Sequence, residues 1–240
     1  VCPSSAPDPT GPDGAQQTET PRAQSGAPSV DFAALSQINP DIVGWLYCEG
    51  TQINYPVVQG GDNTYYLDHL FDGTQNANGC LFLDSRVDAS FSSVHSIIYG
   101  HHMRSGAMFA ALDGYKRQSF YDAHRAMLLI TPDATYDVQL FAAYVADPSE
   151  DAWEVSFAND GEIQTWIDAA IAQSTFTSDV KPTTGDRLLT LSTCSYEFAD
   201  ARLVVVARRL RDGETAEDFG KEVVLTEDPL MPEIWTELFG

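Results

Sequence analysis

The stretch RLLTLSTCSYEFADARLVVVARRL, residues 187–210, decides the fold. It holds two runs rich in leucine, valine and threonine, residues 187–193 and 201–210, joined by a short loop from Cys194 to Asp200. Runs of this length bounded by polar turn residues are strand behaviour, and the short loop predicts an antiparallel return. Similar signals recur upstream at residues 45–47, 53–58, 80–84 and 96–99. Residues 126–131 and 135–146 flank a Pro-Asp-Ala turn and are expected to pair as a hairpin.

Helical signals are fewer. Residues 31–38 read as a short helix that stops at Asn39-Pro40, because the residue before a proline is pushed out of the helical region. Smaller helical pieces are expected at 64–69, 107–112 and 118–125. In residues 161–173, Ile163, Trp166, Ile167, Ala170 and Ile171 recur at spacings of three and four, one apolar face of a helix capped by Asp160. The sum is a mainly β domain, a closed or nearly closed barrel with helices attached and no internal repeat.

With 240 residues and 43% hydrophobic content, the chain suffices for one packed domain. Its formal charge is -22, and its 13 Lys and Arg residues form no run. That excludes nucleic acid, whose phosphates need clustered cations. It also disfavours electrostatic attraction to an anionic membrane, and apolar stretches such as 203–207 and 127–130 fall far short of a span of roughly 20 residues.

Residues 1–29 are Pro, Gly, Ser, Ala, Thr, Gln and Asp without hydrophobic periodicity, and are expected to be a disordered spacer ahead of a domain over 30–210. Val1 opens the chain without a starting Met or an apolar leader, so a trimmed or mature product is expected. Residues 211–240 form a tail with nine acidic side chains against Arg211 and Lys221. It either stays solvated or folds over the domain as an inhibitory cover.

The chemistry-bearing residues lie at strand ends. Cys194 closes the run Thr190-Leu191-Ser192-Thr193, where a thiol is held rigidly yet reachable, and Arg202 opens the next strand. Arginine is always charged and presents a planar fork suited to a carbonyl oxygen that becomes negative in acyl transfer. His101 follows the strand Ile97-Ile98-Tyr99-Gly100 and can exchange the thiol proton. A single cysteine in a strand is more often inert core, so the combination carries the argument. Of the other cysteines, Cys2, Cys48 and Cys80, the last two read as buried reduced thiols in preference to a Cys48–Cys80 bridge.

The segment TLSTC followed by an arginine opening the next strand, together with YGHHM after an apolar strand, resembles the two signature regions of the sortases. NPDIVGWL (39–46), INYPVVQGGDNTYYL (53–67) and the helix-bearing connection before the cysteine strand resemble class B of that family over residues 31–210. The resemblance implies a closed eight-stranded barrel and a cysteine transpeptidase. In it Cys194 attacks the carbonyl after a Thr of a C-terminal sorting signal, His101 manages protons and Arg202 steadies the oxyanion. The thioacyl enzyme then passes the surface protein to an amine of a peptidoglycan precursor or, in pilus builders, to a lysine. No cofactor and no metal are expected. An N-terminal anchor would hold the enzyme at the outer face of the membrane.

The same resemblance sets Asn63, Leu67, Tyr99 and Ser192 against the sorting peptide, with Leu67, Tyr99 and Ile98 lining an apolar groove. The plainer reading makes Leu67 and Ile98 core and Asn63 a helix cap. Asp84, Glu197 and Asp200 are candidates to orient His101, though each reads more simply as loop or surface. His69, His95 and His124 read as surface or structural, and adjacent His101 and His102 diverge too far to share a zinc ion with Cys194. Asp8-Pro9 is followed by Thr10 and not by the aromatic of a class C lid, which favours wall anchoring over pilin polymerisation. A hydrolase and a non-catalytic surface barrel are the remaining alternatives.

Overall fold

The computed structural model describes residues 26–214; the expected spacer and acidic tail lie almost wholly outside them, as does Cys2. Eight strands close a barrel in the order β1-β2-β3-β4-β7-β8-β6-β5. They are β1 (Ile42–Tyr47), β2 (Asn54–Val58), β3 (Leu81–Leu83), β4 (His95–Tyr99), β5 (Ala126–Ile130), β6 (Thr135–Ala146), β7 (Leu188–Cys194) and β8 (Arg202–Arg209). Two neighbouring pairs, β2 with β3 and β4 with β7, are parallel, and the others antiparallel. Helices α1 (Phe32–Ile38), α2 (Gln118–Ala123) and α3 (Asp160–Ala172) attach to it. Among the described residues no helix is long and apolar enough to cross a membrane.

The unbroken apolar run of β8 reflects burial on both faces. Leu203, Val205 and Ala207 point into the barrel with Leu140, Ala143 and Val145 of β6. Val204 and Val206 point outward with Phe141 and Tyr144, under Ile163, Trp166, Ile167 and Ala170 of α3. At about 25 cal/mol per Å² of apolar area, each buried valine contributes on the order of 1.5–3 kcal/mol.

Several expectations shift in detail. Helix α3 is capped by Asn159, whose side chain accepts the Glu162 N–H at 3.2 Å; Asp160 is the first helical residue. Ile171 stands exposed and does not belong to the apolar face. The pieces expected at 64–69 and 107–112 are 3-10 segments, Tyr65–Leu67 and Phe109–Lys116. Residues 211–214 remain tied to the domain, Arg211 to Asp186 and Glu214 to Arg208. Cys48 and Cys80 are free and buried, and burial pushes the Cys80 thiol up to about 12.

Candidate active site

Strand β7 ends at Cys194, β8 begins at Arg202, and their antiparallel register sets these two residues directly opposite each other. Opposed residues on neighbouring strands carry their side chains on one face, so thiol and guanidinium share a side of the sheet. One step further the Ser195 N–H donates to the Ala201 carbonyl at 2.8 Å and closes the hairpin. From the other side β4 runs parallel to β7, with Tyr99 beside Ser192 and the Gly100 N–H donating to the Ser192 carbonyl at 3.1 Å. The chain thus reaches His101 at the level where β7 reaches Cys194. Gly100 makes this approach possible, since a Cβ there would lie 2.3 Å from Leu81 Cδ2.

The two histidines diverge. Nε2 of His101 lies 2.6 Å from the Leu67 carbonyl, and Nδ1 of His102 lies 3.1 Å from the Cys194 carbonyl. A carbonyl only accepts, which assigns a proton to each of these nitrogens. In a neutral His101 ring the basic atom is therefore Nδ1. The Leu67 carbonyl owes its place to Gly79 at φ +59°, where a Cβ would meet the Leu67 oxygen at 2.8 Å and His101 Cδ2 at 3.0 Å.

Nη1 of Arg202 donates to the carbonyls of Asp200 at 2.9 Å and Ala201 at 3.2 Å. No carboxylate pairs with it among the described residues. Leu67 is 42% exposed beside exposed Tyr65, so it is not core. Ile98 is wholly buried in the barrel and lines no groove.

Asn63, Tyr99 and Ser192 have their polar atoms engaged. Asn63 accepts the Ser85 N–H at 2.7 Å and caps no helix; the short turn has Thr64 at its N-cap, and the Thr64 and Tyr65 N–H groups donate to Asp62. The Tyr99 hydroxyl donates to Asp84 at 2.8 Å, and Ser192 Oγ accepts the Trp153 Nε1–H at 3.0 Å. Burial pushes the Asp84 carboxyl up, yet hydrogen bonds from Arg86, Tyr99 and Asn63 outweigh it and bring it down to about 2. None of the three acids considered as orienters of His101 reaches its ring. Asp84 is held by Arg86 and Tyr99, Glu197 by Lys116 and Ser195, and Asp200 offers its carbonyl to Arg202. Sequence reasoning missed Trp153, Arg86 and Lys116. Arg86 and Lys116 carried a local signal, an acid two and three residues earlier, and Trp153 carried none.

The remaining histidines serve structure. His69 pairs with Asp68 and stacks on Tyr65, His124 holds the Glu49 carbonyl, and His95 is buried against Trp166. The described residues hold no cluster of three or more metal-ligating side chains.

The sortase domain pattern matches residues 46–210. Sortase B of Staphylococcus aureus (strain NCTC 8325 / PS 47) is 37% identical over 182 residues, covering 75% of this chain and 75% of that protein. The Staphylococcus aureus sortase B-substrate complex superposes with a TM-score of 0.72 at 36% identity, over 76% of this chain and 85% of that one. A sortase B complexed with triglycine gives a TM-score of 0.72 at 36% identity, over 76% of this chain and 86% of that one. A closed mixed barrel of this kind, with these relatives, defines a cysteine transpeptidase. The chain belongs to the sortase family, and within it to class B.

Proposed function

We propose that Cys194 is the nucleophile, His101 its proton partner and Arg202 the group that steadies the oxyanion. The observation that carries this reading is the register of β7 and β8, which opposes Cys194 and Arg202 at the strand ends that β4 approaches with His101. The Cys194 thiol gives its proton to Nδ1 of His101, the resulting thiolate attacks the Thr carbonyl of a sorting-signal peptide, and the oxyanion that forms lies against the Arg202 fork. As the C–N bond breaks, the leaving amine takes a proton from Nδ1 of His101, while the Leu67 carbonyl keeps Nε2 protonated and the ring oriented. An incoming amine gives up its proton to the same nitrogen, attacks the thioester and frees Cys194.

Exposed Leu67, beside His101, supplies an apolar wall that shields the acyl chain from water. Asn63, Tyr99 and Ser192 shape that wall by holding their neighbours in place. The substrate complex of one relative supports a sorting peptide as donor, and the triglycine held by another supports an amine as acceptor. We take that amine to belong to a peptidoglycan precursor. The catalytic domain, residues 30–210, then works at the outer face of a Gram-positive membrane, with residues 1–29 as spacer to an N-terminal anchor.

Mass spectrometry after incubation with sorting peptides of the Asn-Pro-x-Thr type, with and without triglycine, tests this reading. An acyl adduct on Cys194, absent in Cys194→Ala and discharged faster by triglycine than by water, is expected. An adduct on Cys48 or Cys80, or hydrolysis indifferent to the amine, would sink it.

A further inference from the structure

The loop between β7 and β8 carries the nucleophile at one end and Arg202 at the other, so whatever fixes this loop fixes their spacing. Phe198 anchors it by sinking into the barrel core. The second anchor is polar and comes from a different element. At the end of the 3-10 segment Phe109–Lys116, the Lys116 ammonium donates to Ser195 Oγ at 3.0 Å, to Asp113 Oδ1 at 2.6 Å and to Oε1 of Glu197. An ammonium has three donors, and these acceptors use all of them.

The loop side of the cluster is equally closed. The Ser195 hydroxyl donates to Oε2 of Glu197, and the Tyr196 N–H donates to the same oxygen at 3.1 Å. Ser195 is 5% exposed and directly follows Cys194. Burial opposes the charge on both partners, pushing Lys116 down and Glu197 up; hydrogen bonds to Asp113 and Glu197 outweigh it for Lys116 and hold it above its ordinary value, and hydrogen bonds from Lys116 and Ser195 outweigh it for Glu197 and hold it below. Lys116 is thus the cation shared by two carboxylates, Asp113 of the 3-10 segment and Glu197 of the loop, whose like charges would otherwise disfavour each other. The hydrogen bonds and ion pairs of Lys116 go to Ser195, Asp113 and Glu197, not to Cys194 or Arg202.

We propose that Lys116 is a positioning residue for acyl transfer, its ammonium pinning Ser195 and Glu197 so that Cys194 and Arg202 keep the spacing the reaction needs. The inference rests on Cys194 as nucleophile. It goes beyond the catalytic set by adding a residue that acts through the loop alone.

The test compares Lys116→Met and Lys116→Arg in the full chain, using a sorting peptide and triglycine. For Lys116→Met, kcat is expected to fall about 10- to 100-fold with the peptide KM within about twofold, because misplacement by an ångström costs rate more than binding. Lys116→Arg recovers most of the rate, which a purely volumetric role would not allow. Unchanged kcat in folded Lys116→Met, or a rise in KM alone, overturns the proposal. Should Lys116→Met fail to fold, Glu197→Gln keeps the loop's shape and removes the ion pair; the same kcat loss supports the latch and a normal kcat overturns it. The wild-type adduct is mapped first. With no adduct on Cys194 both readings fall, whereas an adduct with indifferent variants overturns the role of Lys116 alone.

Discussion

The mouth of the barrel and the flank beneath α3 use the same residue types to opposite ends. On the flank His95 is fully buried, its ring donating to the Glu154 carbonyl and accepting from Thr190 Oγ1 at 2.7 Å, with Trp166 packed over it. Both ring nitrogens are consumed, and burial lowers its pKa to about 4. Arg86, though half exposed, is held to Asp84 by two hydrogen bonds of 2.9 and 2.8 Å and to the Trp153 carbonyl at 3.0 Å. At the mouth, by contrast, His101 is bound through one nitrogen and Arg202 through carbonyls only. A polar group with every valence satisfied stabilises the fold, while one left partly free can meet a substrate. The difference lies in what surrounds the residue, not in which residue it is.

The sharpest way to break this contrast is to alter the free groups. Cys194→Ala is expected to abolish the thioacyl adduct while leaving the melting temperature near that of the parent. Arg202→Lys keeps the charge and removes the planar fork. A loss of about 10²–10³ in kcat is expected, the size seen when one oxyanion donor is removed. Steady-state transpeptidation checks it, and a loss below tenfold would place the oxyanion elsewhere.

The flank responds in stability instead of rate. His95 has a folded pKa of about 4, below the ordinary value of 6.5, so protonation favours the unfolded chain. The stability it confers is fully present above pH 6.5 and is lost as pH falls from there through 4, a loss of about 3 kcal/mol at pH 4. Urea midpoints at pH 7 and pH 4 read it, and His95→Gln, which keeps a donor and an acceptor, flattens that slope. The Asp84 carboxyl, brought down to about 2 against the raising effect of burial, fails in a lower window. Its contribution is present above the ordinary carboxyl value and disappears as pH drops through 2, so the two groups separate along one titration. A slope unchanged by His95→Gln would show that the flank histidine is not the neutral ring its contacts require.

Much of the barrel was legible because strand periodicity and turn residues are local signals. The β7–β8 hairpin followed from apolar runs around a short loop, and Cys194 and Arg202 fell opposite each other by counting along it. What the sequence hid was non-local. The hold of Leu67 on His101 comes from a residue 34 positions away, through a backbone atom that leaves no mark in composition. Lys116 and Ser195 are 79 positions apart, and Trp153 meets Ser192 across 39. The α3 cap was misread by one residue, since Asn159 and Asp160 are both good caps and only backbone geometry separates them. Asp84 was a candidate to orient His101, but its partner Arg86 decides its role.

That cap supplies the smallest and most discriminating change. Asn159 accepts the Glu162 N–H, and Glu162 reaches back to the Ala158 N–H at 2.8 Å, a reciprocal pair at the start of α3. Asn159→Ala is expected to cost about 1 kcal/mol. In a domain of this size that lowers the melting temperature by roughly 2–4 °C. The acylation rate should not move if flank and mouth are independent. A physical path between them does exist: Trp166 of α3 donates to the Asp151 carbonyl at 2.9 Å, and the turn Asp151–Trp153 carries the indole that holds Ser192, two residues before Cys194. A fall in acylation that outstrips the loss of folded protein would therefore show that α3 sets the position of Cys194 through Trp153, and the flank would join the catalytic machinery it otherwise only supports.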